Sequence, residues 1–196
     1  MKLIGITGKA GSGKDTIANY LRLEHGFIQY AFATPIKRAI ATMLDMEIKE
    51  LFSRTAKEEI IDFIGKSPRF LAQTLGTEWG RDLVHKDIWV ILAKRFYDIQ
   101  SVDPYIKGIV IADVRFDNEA EWIKSEGGII IEVSRSYVLP CYGEHSSESG
   151  IKSDFIDIMI VNDSDIETLY SNIEHKLRFF LTSTNGINEE AKANQT

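Results

Sequence analysis

Short apolar runs alternate along the chain with longer stretches in which apolar residues recur every three or four positions. Lys2–Thr7 (KLIGIT) is nearly continuous and feeds into glycines, the pattern of a strand buried on both faces. After Lys14, the residues Ile17, Ala18, Tyr20 and Leu21 keep helical spacing, and Gly26 supplies a natural C-terminal stop. Residues 27–32 predict a second strand. Pro35 then opens a helix at its first turn, where a missing N–H costs nothing, and Ile36, Ile40, Met43 and Leu44 follow the 3.6-residue period. From Asp45 to about Gln100 no strand pattern emerges; Gly65, Pro68, Gly76 and Gly80 punctuate what reads as several short helices. Residues 108–112 (GIVIA) predict a third strand ending at Asp113, followed by a helix with Asn118 and Glu121 at capping-box spacing. Residues 128–133 and 157–161 predict strands four and five, and 166–181 a final amphipathic helix. The segment 135–153, polar and containing Pro140 and Gly143, reads as a mobile loop. The tail beyond Thr182 has too few apolar residues to pack and is expected to be disordered.

Buried strands alternating with helices imply an α/β fold in three layers, with a parallel sheet covered on both faces. Its 196 residues suit one domain, taken here as 1–182, with an insertion at 45–105. Ligands in such sheets bind at the carboxyl ends of the strands. The glycines after the first strand, Asp113 and Arg135 all fall there. The composition is that of a soluble globular protein, and no apolar run reaches membrane-spanning length. A single cysteine, Cys141, excludes an internal disulfide and suits a reducing cytoplasm, that of a host if the source is viral. The net charge of −6 offers no general attraction to nucleic acid, so an anionic ligand has to be met by locally placed Arg and Lys.

The candidate chemistry begins at Gly8. GKAGSGKDT, Gly8 to Thr16, fits the phosphate-binding pattern G-x-x-x-x-G-K between a strand and a helix. There the glycines Gly8, Gly11 and Gly13 let backbone N–H groups turn inward on a phosphate chain, with Lys9, Ala10 and Ser12 between them, and the helix N-terminus adds partial positive charge. Lys14 is placed to reach the β and γ phosphates. The pattern then calls for Ser or Thr as a Mg²⁺ ligand, and the chain supplies Asp15, with Thr16 one place later. A carboxylate in a first helical turn is favourable on its own account. Asp15 also suits a hydrated Mg²⁺ held through water, and Thr16 suits a phosphate oxygen. Chemistry alone leaves both readings of Asp15 open.

Taken together, GKAGSGKDT, FATPIKRA, SPRFLAQTLGTEWGR, IADVRFDNEAE and HSSE resemble the phage-type deoxynucleoside monophosphate kinases, within the nucleoside monophosphate kinase group of P-loop folds. The resemblance runs from about Ile4 to Leu169, and the GTEWGR and DVRF–NE blocks are its most specific parts. It implies an ATP- and Mg²⁺-dependent enzyme, strand order 2-3-1-4-5, and an insertion that serves the acceptor. Asp after the loop lysine is then a family trait, shared with phosphomevalonate kinases of related fold.

An acceptor monophosphate carries about two negative charges, and arginine binds phosphate bidentately without losing its own charge. Arg69, Arg81 and Arg115 are the candidates, with Lys37 and Arg38 near the second strand. Gln73 lies four residues beyond Arg69 and has an amide able to read a base edge, while Trp79 either stacks on that base or fills core. Asp113 is placed to orient Mg²⁺ water or to cap a turn; in related kinases an Asp followed shortly by Arg serves metal and acceptor. Arg135 opens the polar loop with His145, Ser147 and Glu148, read as a lid over the phosphates, and would stabilise the transferring group. Asn162 and Asp163 are expected to border the adenine. The expected partner is a small nucleoside monophosphate, with the insertion a candidate homodimer face. Two rival functions are a kinase of dephospho-coenzyme A or phosphomevalonate, which GTEWGR disfavours, and a nucleotide-dependent regulator, for which no N-K-x-D motif is found.

Overall fold

The computed structural model describes residues 1–136 and 150–183. Five parallel strands, β1 (Lys2–Thr7), β2 (Phe27–Tyr30), β3 (Gly108–Ile111), β4 (Ile129–Ser134) and β5 (Ile158–Val161), lie in the order β2-β3-β1-β4-β5. This is the order that the family resemblance implied. The central strand β1 is buried from Leu3 to Thr7, with Ile4 in register between Val110 and Ile129. Of the edge strands, β2 buries only Phe27 and β5 only Ile160.

Each sheet face has its own core. On one face α1 (Lys14–His25) and α7 (Ile166–Thr182) bring Ile17, Leu21, Leu169, Ile173 and Leu177 against Ile4, Ile6, Val110 and Ile131. On the other, α2 (Thr34–Leu44), α5 (Ile88–Gln100) and α6 (Asp117–Ser125) bring Ile36, Ile40, Trp89, Trp122 and Ile123 against Leu3, Ile109, Ile111 and Ile130. Each fully buried aliphatic side chain contributes roughly 1.5–3 kcal/mol, so the apolar runs also fix the layer order.

Several boundaries differ from the sequence reading for local reasons. Strand β2 stops at Tyr30 because the amides of Phe32 and Ala33 leave the ladder and donate to the Asp113 carboxylate, at 2.8 and 3.0 Å. Helix α6 begins at Asp117, so its cap is Phe116 with Glu119, not Asn118 with Glu121; the Glu119 Oε2 accepts from the Phe116 N–H at 3.2 Å. Asp157 lies just before β5 and accepts from Ile130 N at 2.7 Å.

The insertion is helical, as expected: α3 (Ile48–Phe52), a 3₁₀ turn (Ala56–Glu58), α4 (Pro68–Thr74) and then a ten-residue π-helix, Leu75–Val84. The Ser67 hydroxyl caps α4 by accepting from Phe70 N at 3.3 Å, with Pro68 at the first helical position. Extended π-helix is rare and concentrates at functional sites. Here it coincides with GTEWGR. Trp89 packs its ring onto Gly80 and donates from Nε1 to the Gly76 carbonyl at 2.7 Å. A Cβ on Gly80 would overlap that ring, whereas one on Gly76 would only press the end of Ile36, at 3.1 Å. Gly80→Ala should therefore cost about 1–3 kcal/mol of stability through overpacking, and Gly76→Ala less, as read from thermal melts.

Candidate active site

Gly8, Gly11 and Gly13 all adopt left-handed φ, at 137°, 79° and 108°. Two of them also admit no side chain: a Cβ on Gly8 would strike the Val133 carbonyl, and one on Gly13 the Asn162 amide. The loop is thus seated on the carboxyl ends of β4 and β5. Asn162, expected near the adenine, donates from Nδ2 to the Ser12 carbonyl at 2.8 Å and so holds the loop itself. Asp163 accepts from the Ser136 amide at 2.6 Å and from its hydroxyl, which anchors the chain just past Arg135.

Helix α1 starts just after Gly13, an N-cap residue with no side chain to cap it, which leaves its first amides and its positive dipole end free for an anion. The Ser12 hydroxyl is fully buried with no hydrogen-bond partner among the described residues. The Lys14 ammonium lies back over the loop, donating to the carbonyls of Gly8 and Lys9 at 2.6 and 2.8 Å. Burial, and secondarily Arg115, lower its pKa, with Asp15 and Asp113 acting in the opposite direction. An arriving phosphate would relieve that cost, so these residues fit a polyphosphate.

The loop opens into a cleft of about 1040 Å³. Eight cationic residues line it, Lys14, Lys37, Arg54, Lys57, Arg69, Arg81, Arg115 and Arg135, against three acidic ones, Asp15, Asp113 and Glu119. A chain of net charge −6 therefore concentrates positive charge at one place. Ala10, Gly11, Gly13, Asp15 and Thr16 face the same space; Gly8, Lys9 and Ser12 of the loop do not line it.

Most of the acceptor candidates meet here. Lys37 extends from α2, its ammonium 5.6 Å from the Phe52 ring centre. Arg69 pairs with Glu58 at 2.7 Å, and Gln73 lies beyond it on α4. Trp79 is 48% exposed and is not among the lining residues; the tryptophan that lines the cleft is Trp89. Arg38 is exposed and lies outside the lining as well. Sequence reading also passed over Arg54, Lys57, Phe116 and Glu119. Glu119 sits within the DVRF–NE block, but its neighbours come from distant segments.

Arg81 is held by a buried carboxylate and an aromatic ring together. Its Nη2 donates to Glu119 Oε1 at 2.6 Å and its guanidinium lies 3.8 Å over the Phe116 ring; the side chains of Arg81 and Glu119 are 13% and 2% exposed. Burial first, and Asp113 next, push the Glu119 carboxyl up to about 7, against the lowering effects of the Arg115 and Phe116 amides and Arg81. Because the folded pKa exceeds the ordinary value of 4.5, this group's stabilisation is full below that value and is lost as pH rises through about 7. The melting advantage of wild type over Glu119→Gln should therefore shrink from pH 5 to pH 8, by roughly 1–3 kcal/mol. An advantage that widens instead would mean that pairing with Arg81 outweighs burial.

Asp113 is also pushed up by burial and held down by the amides of Ala33 and Phe32. Those hydrogen bonds make it a brace between β3 and the corner that leads to Lys37. No cluster of three or more metal-ligating side chains exists among the described residues. Two carboxylates facing a phosphate loop fit Mg²⁺, which keeps several waters and takes few protein ligands. His145, Ser147 and Glu148, and most of the expected lid, lie outside the described residues.

Comparison with known sequences points to one family. The family model described as deoxynucleotide monophosphate kinase matches residues 2–66 and 46–173. A protein of Acanthamoeba polyphaga mimivirus, assigned by name to deoxynucleotide monophosphate kinases, is 35% identical over 184 residues, covering 88% of this chain and 94% of its own. The deoxynucleoside-5'-monophosphate kinase of Escherichia phage T5 is 27% identical, covering 83% of this chain and 90% of its own. Among solved structures, a dephospho-CoA kinase from Campylobacter jejuni matches at a TM-score of 0.46 and 17% identity, over 92% of this chain and 98% of that one; a likeness of that size decides nothing about substrate. On its sequence, the chain belongs to the deoxynucleotide monophosphate kinase family.

Proposed function

We propose that this chain transfers the γ-phosphoryl group of ATP to a deoxynucleoside monophosphate, giving ADP and the deoxynucleoside diphosphate for DNA precursor synthesis. The observation that supports it most is a cleft lined at once by the glycine loop and by Lys37, Arg69, Arg81 and Arg115.

The loop amides from Gly8 to Thr16 bind the triphosphate, and Lys14 leaves its carbonyl partners for the β and γ oxygens. Arg81, Arg69 and Lys37 hold the acceptor phosphate in line, Gln73 reads the base edge, and Phe52 and Trp89 wall the space. An acceptor oxygen attacks the γ-phosphorus as its bond to the β–γ bridging oxygen breaks. That bond's electrons leave with ADP. The nucleophile is already an anion, so positioning and charge replace a general base. Arg115 lies close enough to Lys14 to lower its pKa, and with Arg135 at the rim it meets the charge on the group in transit. Asp15 and Asp113 would hold a Mg²⁺ through water, which supplies neutralisation of the phosphate oxygens. In this reading 45–105 serves the acceptor within one kinase domain, and the reaction belongs to the cytoplasmic nucleotide pool, a host's if the source is viral.

The test is ADP release with ATP and Mg²⁺ across deoxy- and ribonucleoside monophosphates and dephospho-coenzyme A. Turnover with at least one deoxynucleoside monophosphate, far above ATP hydrolysis alone, is expected. Release that depends only on dephospho-coenzyme A would overturn the reading.

A further inference from the structure

We propose that Glu119 is a positioning residue that joins the two acceptor-side arginines into one phosphate-binding unit; this rests on the monophosphate kinase reading above. Its two carboxylate oxygens serve different parts of the chain. Oε2 accepts the backbone N–H groups of Arg115 and Phe116, at 2.8 and 3.2 Å, and thereby fixes the turn from β3 into α6 that presents the Arg115 side chain. Oε1 accepts from Arg81 Nη2 at 2.6 Å, across 38 residues of sequence. Phe116, held by the same carboxylate, lies flat beneath the Arg81 guanidinium at 3.8 Å.

A carboxylate that only capped α6 would need the first pair of hydrogen bonds and not the second. A buried pair that only stabilised the fold would not need to line the cleft, yet Arg81, Arg115, Phe116 and Glu119 all do. With one edge of its fork engaged by Glu119 and its face against Phe116, Arg81 is restrained before any ligand arrives. Among the described residues, one further and weaker contact, Nη1 to the Lys86 carbonyl at 3.4 Å, engages another edge. A guanidinium oriented in advance spares the ordering cost that a mobile arginine would incur on binding, and holds the acceptor at the angle that in-line attack needs.

The predicted consequence of loosening it is selective. Glu119→Gln retains the shape and one acceptor oxygen but cannot serve both sets of donors. Glu119→Asp retains the charge but is one methylene shorter, and guards against a Gln variant that does not fold. In either variant, KM and the calorimetric Kd for the deoxynucleoside monophosphate should rise about ten- to a hundredfold, with KM for ATP changed less than threefold. In an Arg81→Ala background, Glu119→Asp should add clearly less to the monophosphate KM than it does in wild type, because one of the two arginines it orients is gone. Equal losses for both substrates, a fall in kcat alone in proportion to unfolded protein, or full additivity with Arg81→Ala would overturn the proposal. Wild-type enzyme that phosphorylates no monophosphate at all would instead overturn the functional reading beneath it.

Discussion

Lys14→Ala is expected to lower phosphoryl transfer by about 10²–10³-fold while leaving the melting temperature within a few degrees of wild type. The lysine's present partners are two loop carbonyls that solvent can serve equally well, and its pKa is already lowered by burial, so the folded state gains little from it. In the proposed reaction, what the alanine removes is the charge that meets the γ-phosphate as the transition state forms. Initial rates at saturating ATP and monophosphate, with a melt on the same preparation, decide the matter. Retained turnover would take the loop out of the chemistry.

Arg81→Ala has a second large effect, of another kind. It should raise the monophosphate KM by about a hundredfold and that of ATP by no more than threefold, because in the proposed reaction its fork holds the acceptor phosphate and not the donor. It should also reduce stability by up to ~3–5 kcal/mol at alkaline pH, where Glu119 is left as a buried charge without its partner. Protonation of Glu119 offsets part of that loss below about pH 7. Arg81→Lys keeps the charge but not the fork, and should recover the stability better than the affinity. Equal KM changes for both substrates would move Arg81 away from the acceptor.

The architecture was legible because each strand is an apolar run that only a two-sided burial accommodates, as in LIGIT, GIVI and IIIEV. The strand order was not: nothing in those runs says which neighbour each strand takes, and it came from family resemblance alone. The phosphate loop was equally plain, since a strand, three left-handed glycines and a helix start are consecutive in sequence. The rest of the cleft was only partly legible. Arg81 and Arg115 could be nominated by residue type and placement, but Glu119 looks like any helix-start carboxylate until Arg81 arrives beside it. Trp79 and Trp89 show the same limit. A π-helix breaks the 3.6-residue count through GTEWGR, so the face on which each side chain falls cannot be read by helical spacing. Asn162 is another case: its amide serves the loop through one contact to Ser12, 150 residues away, for which no local pattern exists.

In the proposed reaction, donor and acceptor phosphates meet in one cleft, lined by the loop at Gly8–Thr16 and by Arg81 and Arg115. Calorimetric titration with a bisubstrate analogue, adenosine joined to a deoxynucleoside through five phosphates, tests it directly. One molecule should bind per chain, about a hundredfold or more tighter than ATP or the monophosphate alone, and both Lys14→Ala and Arg81→Ala should weaken it. Binding no tighter than ATP and unaffected by Arg81→Ala would show that the acceptor sits elsewhere, and would contradict the account.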